Sequence, residues 1–213
     1  MEGIFETNDL SQIKVDRIMG EPVYTMDHFY RNPEKVISWI QTHEAELWKK
    51  HQTPTYNGVK FFDMRHTLEC PGLVGIQKKL SALVRQEPLN PGVLTTNQSR
   101  FIRDGFNDFK NNYWWPHLDN GYTALIYLNR ETFPGTNLYE PSDDSYEGVT
   151  EHLAPWRSKE KWKLMGNFEA SYNRLVLFNA SELFHGMAVD NDLFFGDQFR
   201  LNQAIFFDAE RPF

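Results

Sequence analysis

From Val93 onward the chain is cut into seven short runs: VLTTNQSRFIR, FKNNYWW, YTALIYLN, GTNLYE, RLVLFNA, GMAVD and FRLNQAIFFDA. Each is rich in β-branched or aromatic residues and bounded by turn formers, which is how strands read in a sequence. A series of this kind has to be gathered into sheets that face or close on one another, so a sandwich or barrel is the expected core.

The first ninety residues have a different texture. In RNPEKVISWIQTHEAELWKK, Asn32 is a candidate cap and Pro33 stands at a first helical position, with Val36, Ile37, Ile40, Leu47 and Trp48 forming an imperfect apolar stripe. A second helix is expected in CPGLVGIQKKLSALVRQEPLNPG, where Leu73, Ile76, Leu80, Leu83 and Val84 share a face. Short strands are expected at EPVYTMD and GVKFFDMR, after a polar N-terminal lead. Helices followed by a run of strands give an α+β chain that is mainly β. No linker long enough to divide it is visible, so residues 1–213 are expected to form one domain. Its parts are a helical support over about 1–90, a β-core over about 93–207, and a long irregular insert over 141–171 rich in Asp, Glu, Lys and Trp. Loops of that length are commonly functional.

Composition narrows the function. A net charge of −7 and a pI near 5.5 leave no basic face, so nucleic acid is not an expected partner. Cys70 is the single cysteine, which excludes an intrachain disulfide. The start MEGIFETNDLSQ lacks the basic and apolar segments of a signal peptide, and no apolar run approaches the roughly 20 residues that span a bilayer. A soluble, cytoplasmic chain without membrane attachment is the expectation.

The chemistry concentrates in three places. In WWPHLDNGYTALIYLN, His117 and Asp119 are two apart, so on extended backbone an imidazole and a carboxylate share one side. Farther on, NRLVLFNASELFHGM delivers His185 just after an apolar strand. Two histidines and one carboxylate make the facial triad of non-haem Fe(II) oxygenases, but zinc hydrolases use the same donors, so the triad leaves both metals open. The third place is FRLNQAIFF, where Arg200 opens a run that reads as a core strand. A guanidinium there needs an anion, either a ligand such as a dicarboxylate or an internal Asp or Glu. Its planar fork suits a carboxylate through two parallel hydrogen bonds.

The order HLD, TALIYLN, GTNLY, RLVLFNASELFHGM and FRLNQAIFF resembles the Fe(II)- and 2-oxoglutarate-dependent oxygenases, closest to the prolyl-4-hydroxylase-like branch, over about Val93 to Phe207. The resemblance implies a double-stranded β-helix, or jelly roll, with N-terminal supporting helices. It implies His117, Asp119 and His185 as iron ligands, with Arg200 on the distal carboxylate of 2-oxoglutarate. Tyr127 stands where the family often places a hydroxyl on that carboxylate, and Asn202 stands two after the arginine, where a small hydroxyl residue is more usual. The gap from His185 to Arg200 is long for the family, and NDLFFGD reads as an extended turn. The implied reaction uses O2, releases succinate and CO2, and hydroxylates a C–H bond of a small-molecule or peptide substrate, such as a prolyl or other amino-acid side chain. Asp119 fills the coordination place a halide would need, which favours hydroxylation over halogenation. A metal-dependent (zinc) hydrolase and a non-catalytic jelly-roll binding module are the alternatives. Tyr113, Trp114, Trp115 and Tyr139 are candidates for the substrate mouth, Arg103 for a substrate carboxylate. The 141–171 insert, with Trp156 and Trp162, is expected to act as a lid.

Overall fold

The computed structural model describes residues 3–43, 66–67, 72–84, 93–99, 116–142, 159–189 and 191–207. Among them the N-terminal region supplies strands β1 (Lys14–Ile18) and β2 (Glu21–Met26), helix α1 (Pro33–Thr42), the short β3 (His66–Thr67) and helix α2 (Leu73–Leu83). The remainder supplies β4 (Val93–Ser99), β5 (Tyr122–Tyr127), β6 (Phe133–Pro141), β7 (Trp162–Ala170), β8 (Arg174–Asn179), β9 (Phe184–Met187) and β10 (Arg200–Phe207). Strands outnumber helices, and every pairing is antiparallel. A seven-stranded sheet runs β1-β2-β8-β5-β10-β4-β3, and a three-stranded sheet runs β7-β6-β9.

The apolar runs of β5 and β8 are continuous because both faces of these central strands are covered. On one face Ile126 and Leu177 pack with Val36 and Ile40 of α1 and Leu80 of α2. On the other, Tyr127, Val176 and Phe178 pack with Phe133 and Leu138 of β6 and Ala170 of β7. The layers are therefore helices, large sheet and small sheet, with one core on each side of the large sheet. The helices close the outer face and leave the inner face to the small sheet.

Pro33 opens α1 as expected, but the Asn32 side chain makes no capping hydrogen bond. The entry of the chain into α1 is fixed from elsewhere. Asn173, at a left-handed φ of 58°, accepts from Tyr30 N at 2.9 Å and donates to Tyr30 O at 2.8 Å. This pins the β7–β8 turn to the segment preceding the helix.

Three expectations need correcting. The polar N-terminal lead contains β1, an edge strand whose charges are solvent-facing, so it carries no apolar alternation to read. The 1–90 support is accordingly part sheet, with β1, β2 and β3 all in the large sheet. The insert at 141–171 is not irregular throughout: Lys159–Lys161 form a 3-10 turn and Trp162–Ala170 are β7, an edge strand buried only at its two end residues and so similar to a loop in sequence. The expected strands GVKFFDMR and FKNNYWW lie outside the described residues. No helix among the described residues is long and apolar enough to cross a membrane.

Candidate metal centre and anion pocket

His117 and His185 meet through backbone before their side chains do. Each donates its N–H to the other's carbonyl at 3.0 Å, an isolated antiparallel bridge beside β9. Asp119 N donates to Ala180 O at 3.0 Å, so the HLD segment is stitched to the connection between β8 and β9. That connection is a tight turn set by Asn179, whose side-chain oxygen accepts from Ser181 N and Oγ while its carbonyl accepts from Leu183 N. His185 emerges from it with a fixed orientation.

The donor atoms of His117, Asp119 and His185 all lie within 4.8 Å of one another. Asp119 Oδ2 is 3.3 Å from His185 Nε2 and 3.9 Å from His117 Nε2. Both imidazoles are buried, and the Phe178 ring meets His185 edge-on at 4.9 Å. The His185 Nδ1 lies 3.0 Å from Leu183 O. A carbonyl only accepts, so Nδ1 holds a proton and Nε2 is the ring nitrogen left to face Asp119. That tautomer is the one a metal ligand needs. Two imidazole nitrogens and a carboxylate oxygen that converge in this way fit a divalent metal of the kind that takes mixed N and O donors.

The second feature is the surrounding of Arg200. Its residue is 3% exposed, yet it makes no ion pair with any described residue. Nη2 donates to Gly135 O at 3.1 Å, and Nε has no hydrogen-bond partner. The rings of Phe133 and Tyr127 stand 5.5 and 6.0 Å from the guanidinium carbon. Burial pushes the Arg200 pKa down from 12.5 to about 10, the Tyr127 hydroxyl opposing that only in part. An orphaned donor on a buried cation suits an anion that none of the described residues supplies.

Gly135 makes this arrangement possible. It sits in a bulge of β6, between the pairs Phe133↔Ala170 and Thr136↔Phe168. A Cβ there would lie 2.3 Å from Phe168 O and 2.7 Å from Ala170 N, both backbone atoms. Only glycine fits, and the bulge lets its carbonyl serve both Arg200 and the Ala188 N–H.

Tyr127 is fully buried, and its hydroxyl lies 2.6 Å from Thr136 Oγ1. Burial raises the Tyr127 pKa, so it is a neutral phenol. Asn202 shares the inner face of β10 with Arg200 and pairs with Tyr127 across the ladder. Gly135, Thr136 and Phe133 were not identifiable as site residues from sequence. The signal was the GTNLY motif itself, whose glycine and threonine lie on the strand facing His185.

Two aromatic expectations fall on the wrong side of the small sheet. Tyr139 and Trp162 pack with Phe184, with Trp162 and Phe184 ring centres 5.1 Å apart. Phe184 and His185 are consecutive on β9 and point to opposite faces. This cluster therefore backs the metal-bearing strand and does not line its mouth. Leu138 opposes His185 and Tyr139 opposes Phe184, so regular alternation along β6 carries Tyr139 to the far face. Tyr113, Trp114, Trp115, Trp156 and Arg103 lie outside the described residues.

The site defines a class: a β-rich chain with a His-Asp-His centre beside a buried cationic pocket. No protein-family model matches the sequence, and no curated protein does. In structure the chain is similar to a prolyl 4-hydroxylase from Phytophthora capsici, at 13% identity and TM-score 0.49, covering 88% of this chain and 58% of that one. It is similar to a Pseudomonas putida prolyl-4-hydroxylase at 12% identity and TM-score 0.49, covering 89% and 93% of the two chains. An oxidoreductase of the 2OG-Fe(II) oxygenase family from Burkholderia pseudomallei matches at 13% identity and TM-score 0.37, with 81% and 77% covered.

Proposed function

We propose that this chain is an Fe(II)- and 2-oxoglutarate-dependent oxygenase that hydroxylates a C–H bond. The observation that carries the reading is the buried Arg200, without an ion pair among the described residues, on the same inner space as the convergent His117, Asp119 and His185. A zinc hydrolase has a use for the triad but none for a buried guanidinium awaiting an anion. The two features are joined by β6: Leu138 opposes His185, and Gly135, three residues back, holds Arg200. That is about 10 Å of strand, a separation suited to a short dicarboxylate held at both ends.

The strand order supports a double-stranded β-helix as the fold. After β5 in the large sheet the chain places β6 and β7 in the small one, β8 in the large, β9 in the small and β10 in the large. The crossing chain thus winds the two sheets together, and the His117–His185 bridge extends the small sheet beyond β9. One domain over residues 1–213 is part of this reading.

His117, Asp119 and His185 would hold Fe(II), and the Leu183 carbonyl keeps the His185 proton on Nδ1. Arg200 would take the distal carboxylate of 2-oxoglutarate through Nε and a neighbouring Nη, a charge-assisted bidentate contact. The Tyr127–Thr136 hydroxyl pair and the Asn202 amide border that carboxylate and orient it. Phe133 and Phe178 keep water from the pocket and from His185. With Fe(II), 2-oxoglutarate and O2 bound, the chemistry supplied is oxidative decarboxylation to succinate and CO2 coupled to hydroxylation. The prime substrate is a small molecule or peptide, with a prolyl or other amino-acid side chain as the first class to screen.

Anaerobic addition of 2-oxoglutarate to the Fe(II)-loaded protein tests the reading through its weak visible charge-transfer band, followed by succinate release in air. Asp119→Ala is expected to lose both. Full activity of that variant, or turnover supported by zinc alone, would overturn the assignment.

A further inference from the structure

We infer that Phe194, on the connection between β9 and β10, holds Phe133 against the Arg200 guanidinium and so sets the length of dicarboxylate the pocket accepts. The inference rests on the reading of the site given above.

Among the described residues the guanidinium meets one carbonyl and two rings. Gly135 O takes Nη2, Tyr127 lies on one side at 6.0 Å, and Phe133 lies on another at 5.5 Å. The two rings are held in place differently. Tyr127 is in the middle of a central strand and its hydroxyl is tied to Thr136. Phe133 begins β6 just before the bulge, where regular pairing with β7 is interrupted. Phe194 meets it edge to face, with ring centres 4.8 Å apart and planes at 83°, and both residues are buried.

The connection is shaped to deliver that ring. Leu193 N donates to Asn191 Oδ1 at 3.0 Å, and Phe195 N donates to Asp192 O at 3.1 Å, two local turns that bracket Phe194. This gives the unusually long NDLFFGD turn a purpose. A wall of two interlocked rings yields little, so a ligand one methylene longer has to displace both. Removing the Phe194 ring opens a space into which Phe133 can swing, and the pocket lengthens.

Calorimetric titration of the anaerobic Fe(II)-loaded protein with 2-oxoglutarate and with 2-oxoadipate, one methylene longer, tests this. The wild-type protein is expected to prefer 2-oxoglutarate by about tenfold or more, the usual discrimination of a methylene by a packed apolar wall. Phe194→Ala is expected to bring the two affinities within about threefold, with Phe194→Leu between them. The leucine variant keeps apolar bulk and provides the answer if the alanine variant does not fold. Equal weakening of both ligands, or no change in either, would overturn the inference and leave Phe194 as core packing. A wild-type protein that binds neither ligand would instead overturn the anion pocket itself, and a wild-type protein that does not prefer 2-oxoglutarate would overturn the length gauge alone.

Discussion

Arg200→Met is expected to make the ligand-free protein slightly more stable while abolishing its response to 2-oxoglutarate. The lowering of the Arg200 pKa to about 10 corresponds to about 3 kcal/mol of unfavourable desolvation at neutral pH. Against this stand one charge-assisted hydrogen bond to Gly135 O, worth about 1.5 kcal/mol, and contacts with two rings, about 0.5 kcal/mol in sum for a cation so poorly aligned. Methionine retains the packing of the aliphatic stem, and Gly135 O keeps its bond from Ala188 N. The net gain is about 1 kcal/mol, or about 2–4 °C in Tm for a chain of this size.

The sign of the pH dependence follows from the same lowering. Below about 10 the cation is present in both folded and unfolded chains, so its penalty is constant; it is relieved only as pH rises from about 10 toward 12.5. The difference between variant and wild type should therefore be flat across the neutral range. Thermal and urea unfolding of the anaerobic Fe(II)-loaded proteins measure it. Adding 2-oxoglutarate at a hundred times its Kd should stabilise the wild type by about 2.7 kcal/mol and leave Arg200→Met unmoved. A loss of about 3 kcal/mol or more in the ligand-free variant, as when a buried ion pair is broken, would refute the reasoning.

Gly135→Ala is expected to cost about 3 kcal/mol, because the added Cβ meets backbone at 2.3 Å and neither strand can yield without breaking the β6–β7 ladder; urea unfolding within about 0.5 kcal/mol of wild type would contradict the bulge geometry. Asn173→Ala should lose two buried hydrogen bonds to Tyr30 and also strain the left-handed backbone, about 3 kcal/mol together, whereas Asn173→Gly should be about 1 kcal/mol less damaging. Equal stabilities for the two variants would assign the whole effect to the side chain.

What was legible in the sequence was polar residues in apolar company. His117, Asp119, His185 and Arg200 stand in strand-like segments where nothing but function or pairing explains them, and period two placed the first pair on one side. The order of helices and strands was legible for the same reason, since α1, α2, β5, β8 and β10 each bury an apolar face. The parts that were not legible depend on backbone. The group that holds Arg200 is a carbonyl, which every residue possesses, and it is aimed by a bulge that depends on how β6 meets β7. Edge strands β1 and β7 bury few of their side chains and so look like loops. Tyr139 and Trp162 have the composition of a substrate mouth, and only the register places them behind it.

The division of the site between the sheets has a further consequence. His185 belongs to the small sheet and Arg200 to the large one, and among the described residues the guanidinium's one hydrogen bond crosses between them to Gly135. A charge with no ion pair among the described residues weakens that crossing between the layers. Under the proposed function, a dicarboxylate held by the metal at one end and by Arg200 at the other would bring an opposite charge and tie the sheets at the same moment. Stability and ligand affinity are then linked through one residue, so a substitution that relieves the unpaired cation raises the first only by losing the second.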